Sequence, residues 1–393
     1  MMSEDVFIVS ARRTPIGAFQ GSLSAAGAPQ LGAAAARAAI DSSGLAAERI
    51  QETILGCVLM AGIGQAPARQ AALGAGVPEN VPATTVNKMC GSALKALMMA
   101  SDQIRARSAD IVLAGGIESM SNAPYLLLKA RSGLRMGHAE LIDHMFFDGL
   151  QSPFDGRLMG FFADATAKKY GFTREQQDEF AAESVRRALS AVESGAFEAE
   201  IAPVTVKERK GERVVTKDET PFTCDIAKIP QLKPAFNKDG TVTAASSSSI
   251  SDGAAALLLV NEHAVKAHGL EPLARVVAYT SHAQAPEWFT TAPVGAIRSV
   301  LDRAGWSASQ VDLFEINEAF ACVTMAAIHD LELDHAKVNV NGGACALGHP
   351  IGATGARIMT TLLHALKQRN LKRGVASLCI GGGEATAMAV ELV

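Results

Sequence analysis

The feature that most limits what this chain can fold into is a repeat. Asp41-Ser42-Ser43-Gly44-Leu45-Ala46-Ala47-Glu48-Arg49-Ile50 lies over Asp302-Arg303-Ala304-Gly305-Trp306-Ser307-Ala308-Ser309-Gln310-Val311, with Asp on Asp, Gly on Gly and Ile on Val. Val86-Asn87 before Cys90 is echoed by Val340-Asn341 before Cys345 and His349. Gly115-Gly116 after an apolar run is echoed by Gly381-Gly382-Gly383. These echoes read as an internal duplication, in which two copies of one supersecondary plan bury a joint core. Residues 120–250 fall outside the repeat, carry more charge and end in the polar run Ser246-Ser247-Ser248-Ser249. That stretch is too long for a plain loop, and insertions on a rigid scaffold often cover an active site.

Local patterns give the class of fold. Apolar runs at 6–10, 54–60, 84–86 and 111–114 read as buried strands, the last ending in Gly115-Gly116. Helical spacing at 30–42 and 92–107 alternates with them. In the insertion, Thr173 with Gln176 three positions on forms a capping box for a helix over 173–194. Alternation of strand and helix predicts an α/β layer architecture around a mostly buried sheet.

Composition narrows the partners. Only 19% of residues are charged and 48% are hydrophobic, against ~25% charged in an average domain, so disorder is excluded and a hidden subunit interface is expected. The densest apolar run, 254–260, falls short of the ~20 residues of a membrane span. A net charge of −4 gives no footprint for nucleic acid. Six separated cysteines without a C-x-x-C pair support neither a zinc knuckle nor a disulfide framework. His138, Asp143 and His144 lack metal-ligand spacing, so no metal is expected. No signal or transit segment is visible, which makes a cytoplasmic protein the expectation.

Four segments carry chemistry. Asn87-Lys88-Met89-Cys90-Gly91-Ser92 puts Cys90 between a strand and a helix, where a helix N-terminus stabilises a thiolate; a small buried hydrophobe is the other reading. Asn341-Gly342-Gly343-Ala344-Cys345-Ala346-Leu347-Gly348-His349-Pro350-Ile351-Gly352 sets His349 in a glycine-rich loop. It is neither a phosphate loop nor a dinucleotide fingerprint, and a histidine held there can act as a general base. Ser377-Leu378-Cys379-Ile380-Gly381-Gly382-Gly383 runs a strand into glycines whose amides can form an oxyanion hole, or simply make a turn. Asn317, after an apolar strand, is open between a helix cap and a site residue.

Together these segments resemble the thiolase family of acyl-CoA acetyltransferases, from Arg13-Thr14-Pro15-Ile16-Gly17 to the glycines after Cys379. The resemblance implies a duplicated α/β fold, a five-layered α-β-α-β-α sandwich with five strands in each half. Residues 1–119 with 251–272 would form the first half, 120–250 an inserted loop domain that binds coenzyme A, and 273–393 the second half. By the same resemblance Cys90 is the acyl-accepting nucleophile, His349 its base and Cys379 the second, proton-moving cysteine. Asn317 would hold a water that shares one oxyanion hole with His349, and the amides of Cys90 and Gly381 would form the other. Ser248, Phe236, Ile250, Met159 and Phe320 match positions lining the pantetheine channel. The reaction implied is 2 acetyl-CoA to acetoacetyl-CoA plus CoA, with coenzyme A as substrate and product, no bound cofactor, and a homotetramer.

Departures from the family pattern bear on acyl preference. Ala245-Ser246-Ser247-Ser248-Ser249 stands where Gly-Asn-Ala-Ser-Gly is usual, Leu158 where His precedes Met-Gly, and Phe222 where an arginine is frequent. Glu384 follows the glycine turn where a smaller or uncharged residue is commoner. The basic residues Lys207, Arg209, Lys210 and Arg213 read either as a contact for the CoA phosphates or as a solvated hairpin. The competing functions are a degradative 3-ketoacyl-CoA thiolase for longer chains, a decarboxylating ketoacyl synthase, against which Cys379 and Asn317 speak, and a non-catalytic acyl-CoA-binding relative.

Overall fold

A computed structural model describes residues 4–209 and 211–393. The first half contributes β1 (Val6–Arg13), β2 (Glu52–Gly56), β3 (Ala83–Val86) and β4 (Ile111–Ser119), with α1 (Ala28–Ser43), α2 (Pro67–Gly74) and α3 (Ser92–Arg105) between them. The intervening segment carries α4 (Met159–Tyr170) and α5 (Arg174–Glu193). Then come β5 (Ser251–Asn261), β6 (Ala274–Ala283), β7 (Leu313–Ile316), β8 (Arg373–Ile380) and β9 (Glu384–Leu392), with α6 (Ala292–Ala304), α7 (Ala321–Asp330) and α8 (Thr354–Gln368).

The duplication is visible in the topology. The first half pairs its strands in the order β1-β5-β4-β2-β3 and the second in the order β6-β9-β8-β7. Both therefore begin at the first strand of the half, pass to its last, and return through the one before that to its second. Gly44 and Gly305, matched in the sequence, both take left-handed φ (71° and 68°) and end α1 and α6, with their amides donating to Asp41 and Asp302. The two sheets meet where Phe7 pairs with Arg275 and Ile8 with Ala274.

Each sheet is buried on both faces, which explains the low charge. On β5, Leu257 and Leu259 face a central core shared with α3, α8 and the second sheet, while Leu258 and Val260 face α1 and α2. On the far side α6 and α7 cover β6 to β9 through Ile297, Val300, Phe314, Val375 and Ala387. Helix, sheet, helix, sheet and helix therefore stack in the five layers expected.

Two expectations need correction. The strand predicted to stop before Gly115-Gly116 runs on to Ser119. The glycines sit inside it because a Cβ on Gly115 would lie 2.0 Å from the Ala255 oxygen, and one on Gly116 would lie 2.2 Å from the Gly352 oxygen. In the second half only four strands form, and the fifth shrinks to a single bridge between Phe314 and Val338. There Asn339, at φ 49°, substitutes its side-chain amide for a strand backbone. It accepts from Ile316 N at 2.8 Å and donates to Ile316 O at 2.8 Å.

The segment between β4 and β5 is tied down at several points. Thr173 caps α5 in the expected box with Gln176. Fully buried Arg13 of β1 pairs with Glu200 at 2.5 Å and with Asp218 at 2.7 Å, and both partners are buried, so removing one strands a charge. The hairpin Val204–Glu208 with Gly211–Val215 packs Val204, Val206 and Val215 against the outer face of the first half. Among the described residues no helix is long and apolar enough to cross a membrane.

Gly116→Ala should lower stability to urea by about 1–3 kcal/mol, the usual cost of overpacking, because the obstructing atom is backbone and cannot rotate away. A midpoint unchanged from the parent protein would show that the central layer tolerates expansion.

Candidate active site

Cys90 is placed by a turn wound between β3 and α3. Asn87 Oδ1 accepts from Met89 N at 2.9 Å, and Ser92 Oγ accepts from Lys88 N at 2.8 Å while donating to Met89 O at 2.6 Å. Met89 is driven to φ 49°, a conformation that costs a non-glycine residue energy. Gly91 has no room for a side chain, since a Cβ there would lie 2.4 Å from Ile380 Cδ1. Lys88 is ion-paired to Glu384, the acidic departure after the glycine turn, so the Cys90 turn and the glycine turn are bridged across the halves. Burial pushes the Cys90 thiol up to about 11, and the charge of Glu118 adds to this; the amides of Gly381 and of Cys90 itself act in the opposite sense.

His349 approaches from the second half, with its amide donating to the Ser249 oxygen at 3.1 Å. Its Nδ1 meets Thr354 Oγ1 at 2.6 Å. The Thr354 hydroxyl donates its one proton to Pro350 O at 2.9 Å and therefore accepts from Nδ1–H. This leaves Nε2 as the lone-pair nitrogen, and Nε2 has no partner among the described residues. Burial, then repulsion from buried Arg357, lowers the imidazole pKa to about 3. The site thus rests as neutral thiol and neutral imidazole.

Cys379, close enough to Cys90 to feel its charge, and Asn317 are both buried. Cys379 is fully buried at the end of β8, its thiol raised by burial and by neighbouring Cys90 and Cys322. Asn317 follows β7, is 1% exposed, and leaves both Oδ1 and Nδ2 unpartnered. It caps no helix, because α7 begins only at Ala321 with Phe320 at the cap. A buried amide with both ends free marks a place for an ordered water. Gly382 and Gly383, at φ 101° and 92°, turn the chain back after Gly381.

A cavity of about 410 Å³ opens onto Cys90, His349 and Gly381. Ser248, Phe236, Ile250, Met159 and Phe320, all singled out in the sequence, line it. So do Met120, Phe146, Leu150, Leu158, Phe289 and Ile351, of which only Leu158 stood out there. Phe146 and Leu150 come from a short helical turn, Met145–Leu150, in a stretch without motif or period, so only the folded chain reveals them. Phe236 lies so close to Gly160 that a Cβ on Gly160 would sit 2.2 Å from its ring.

Other candidates lie elsewhere. Lys207, Arg209 and Arg213 belong to the outer hairpin and its turn, where Arg213 pairs with Glu208 at 2.6 Å, and none lines the cavity. Lys210 lies outside the described residues. His144 bonds Asp148 at 2.6 Å and the Ala61 amide at 3.4 Å, and no metal-ligating cluster occurs among the described residues. Cys345 is buried against Glu318, whose carboxylate accepts from its amide at 3.1 Å.

Comparison with known proteins agrees with this arrangement. The model of the thiolase N-terminal domain matches residues 6–263, and that of the thiolase C-terminal domain matches 270–392. The chain belongs to the thiolase family. Acetyl-CoA acetyltransferases of Pseudomonas aeruginosa and Escherichia coli K12 are 52% and 50% identical to it, each over 98% of both chains. The crystal structure of the Bacillus anthracis acetyl-CoA acetyltransferase superposes with a TM-score of 0.97 at 42% identity, covering 100% of this chain and 99% of that one. Human mitochondrial 3-ketoacyl-CoA thiolase gives 0.96 at 38% identity over 99% of both.

Within this thiolase the depressed pKa of His349 has a consequence for stability. The unfolded chain binds a proton at this residue near pH 6.5 and the folded protein only near 3. The unfolded state thus holds more protons in that window, and the contribution of His349 is lost as pH falls through it, by at most about 1.4 kcal/mol per pH unit. His349→Gln should flatten the acid limb of a stability-against-pH curve relative to the parent; parallel limbs would refute a neutral buried imidazole.

Proposed function

We propose that the chain is an acetyl-CoA C-acetyltransferase, converting two acetyl-CoA to acetoacetyl-CoA and CoA, and the reverse, through an acetyl-Cys90 intermediate. The observation that carries this reading is the pairing of Cys90, with the Gly381 amide and its own aimed at the sulfur, with a His349 Nε2 left free in one cavity. The names of the relatives agree with it.

In the first half-reaction Cys90 Sγ attacks the thioester carbonyl while His349 Nε2 takes the thiol proton. Charge on the carbonyl oxygen is received by the amides of Cys90 and Gly381, and the leaving CoA sulfur departs with the proton from His349. In the second, Cys379 removes an α-proton from a new acetyl-CoA. Cys379 acts as a thiolate after passing its own proton to His349 Nε2, and the enolate oxygen is held by that Nε2–H and by a water on Asn317 while the carbanion attacks acetyl-Cys90. The tetrahedral adduct collapses and expels the Cys90 sulfur, which takes the proton back from His349 Nε2, and acetoacetyl-CoA is released. Two oxyanion sites serve because charge builds on two different oxygens. Ser248, Phe236, Ile250, Met159 and Phe320 hold the pantetheine arm, and coenzyme A is a substrate, not a resident cofactor.

A longer-chain 3-ketoacyl specificity is favoured by one observation, the apolar wall of Phe146, Leu150 and Leu158. Exposed Tyr125, Leu128, Leu134, Met136 and Leu141 support a homotetramer, and six free cysteines fit a cytoplasmic, reducing setting. The domain limits 1–119 with 251–272, 120–250 and 273–393 belong to the same reading.

Cys90→Ala should abolish acetoacetyl-CoA thiolysis by on the order of 10⁴-fold or more, and acetyl-CoA alone should leave one acetyl group on the Cys90 peptide in mass spectrometry. Retained thiolysis in that variant would sink the assignment. Faster turnover of 3-ketohexadecanoyl-CoA than of acetoacetyl-CoA would transfer it to the longer-chain enzyme.

A further inference from the structure

One buried carboxylate joins the walls around Cys90 without touching the reacting atoms. Glu118, at the end of β4, is fully buried. Its Oε1 accepts from Leu59 N at 3.1 Å and faces Cys57 Sγ at 3.8 Å. Its Oε2 accepts from Val58 N at 3.1 Å and Gly352 N at 2.8 Å. Gly352 lies three residues after His349, and a Cβ on it would fall 2.6 Å from Oε2, so the loop is seated directly on the carboxylate. Val58 and Leu59 pack with Ile351 and Met120, and Met89 and Cys90 lie against the same cluster. Three segments that a long stretch of sequence separates therefore share one acceptor: β4, the turn after β2, and the histidine loop of the other half.

We propose that Glu118 is a positioning residue for the thiolase reaction, its carboxylate fixing the His349 loop of the second half against the Cys57–Leu59 turn that backs Cys90. This rests on the assignment of Cys90 and His349 above. A carboxylate can accept from all three amides at once, whereas a glutamine must turn its NH₂ toward at least one of them. The geometry of the nucleophile and its base then loosens, although neither residue has changed. The same carboxylate is the negative group that adds to the elevation of the Cys90 thiol, so its removal acts on Cys90 in a second, opposite way: turnover falls while the thiol becomes easier to ionise.

The test uses the intact protein with E118Q and E118D. In E118Q, kcat for acetoacetyl-CoA thiolysis should fall by roughly 10- to 100-fold, as expected when reacting groups are displaced, with KM changed by less than about threefold because the cavity-lining side chains are intact. Site-resolved mass spectrometry should show Cys90 alkylated by iodoacetamide several-fold faster at pH 8, roughly as a lowered thiol pKa requires. Buried Cys322 and Cys379 should stay unmodified, which reports that the fold is kept. E118D retains the charge but draws it back by one methylene, so it should lose turnover without faster alkylation. E118Q with kcat within twofold of the parent, or with slower turnover but unchanged Cys90 alkylation, overturns the proposal. An active Cys90→Ala would instead overturn the assignment it rests on.

Discussion

The site depends on the contact between the first turns of α3 and α8. These helices fill the layer between the two sheets and are covered from both sides. Gly355 comes so close to α3 that a Cβ on it would lie 2.3 Å from Leu94 N. Cys90 lies two residues before α3 and His349 five before α8, so fixing the helix starts against each other brings these two side chains together from opposite halves. Both helices direct their positive ends toward the cavity. Such a field favours a thiolate or an enolate and disfavours an imidazolium, in the same direction as the low pKa of His349.

Around that contact, buried polar groups divide into two sets. Those that shape loops are fully engaged: Asn339 reads Ile316 and Glu318, and Glu318 gathers Ser184, Asn339 and the Cys345 amide. Thr354 joins His349 to Pro350. Others have no partner among the described residues, among them His349 Nε2, both ends of the Asn317 amide and the three guanidinium nitrogens of Arg357. An unpaired buried polar group costs about 1–3 kcal/mol.

The sequence was most legible where local chemistry and long-range structure agree. Gly44 and Gly305 are turn residues in isolation and turn out to be left-handed helix caps at equivalent points of the two halves. It misled where glycine has two uses. Gly115 and Gly116 look like a strand end, yet they sit mid-strand because neighbouring backbone leaves no room for a Cβ. The missing fifth strand of the second half could not be foreseen, because a side chain, that of Asn339, supplies the pairing that a strand's backbone would make. Phe146 and Leu150 show the same limit from the other side, since no period or motif marks a cavity wall contributed by an irregular segment.

The sequence by itself determined the duplicated plan and the two-faced burial of the strands, and its resemblance to thiolases singled out Cys90, His349, Cys379 and Asn317 as candidate site residues. The plan and the burial follow from residue types at short spacing, which act through local propensity and periodicity, whereas the site residues follow from the resemblance alone. Only the tertiary structure decided that Thr354 fixes the histidine tautomer, that Glu118 and the Lys88–Glu384 pair join the halves, and that Phe146 and Leu150 wall the cavity. Those depend on separations of many residues closed by packing, and the geometry of such closures is a property of the assembled layers.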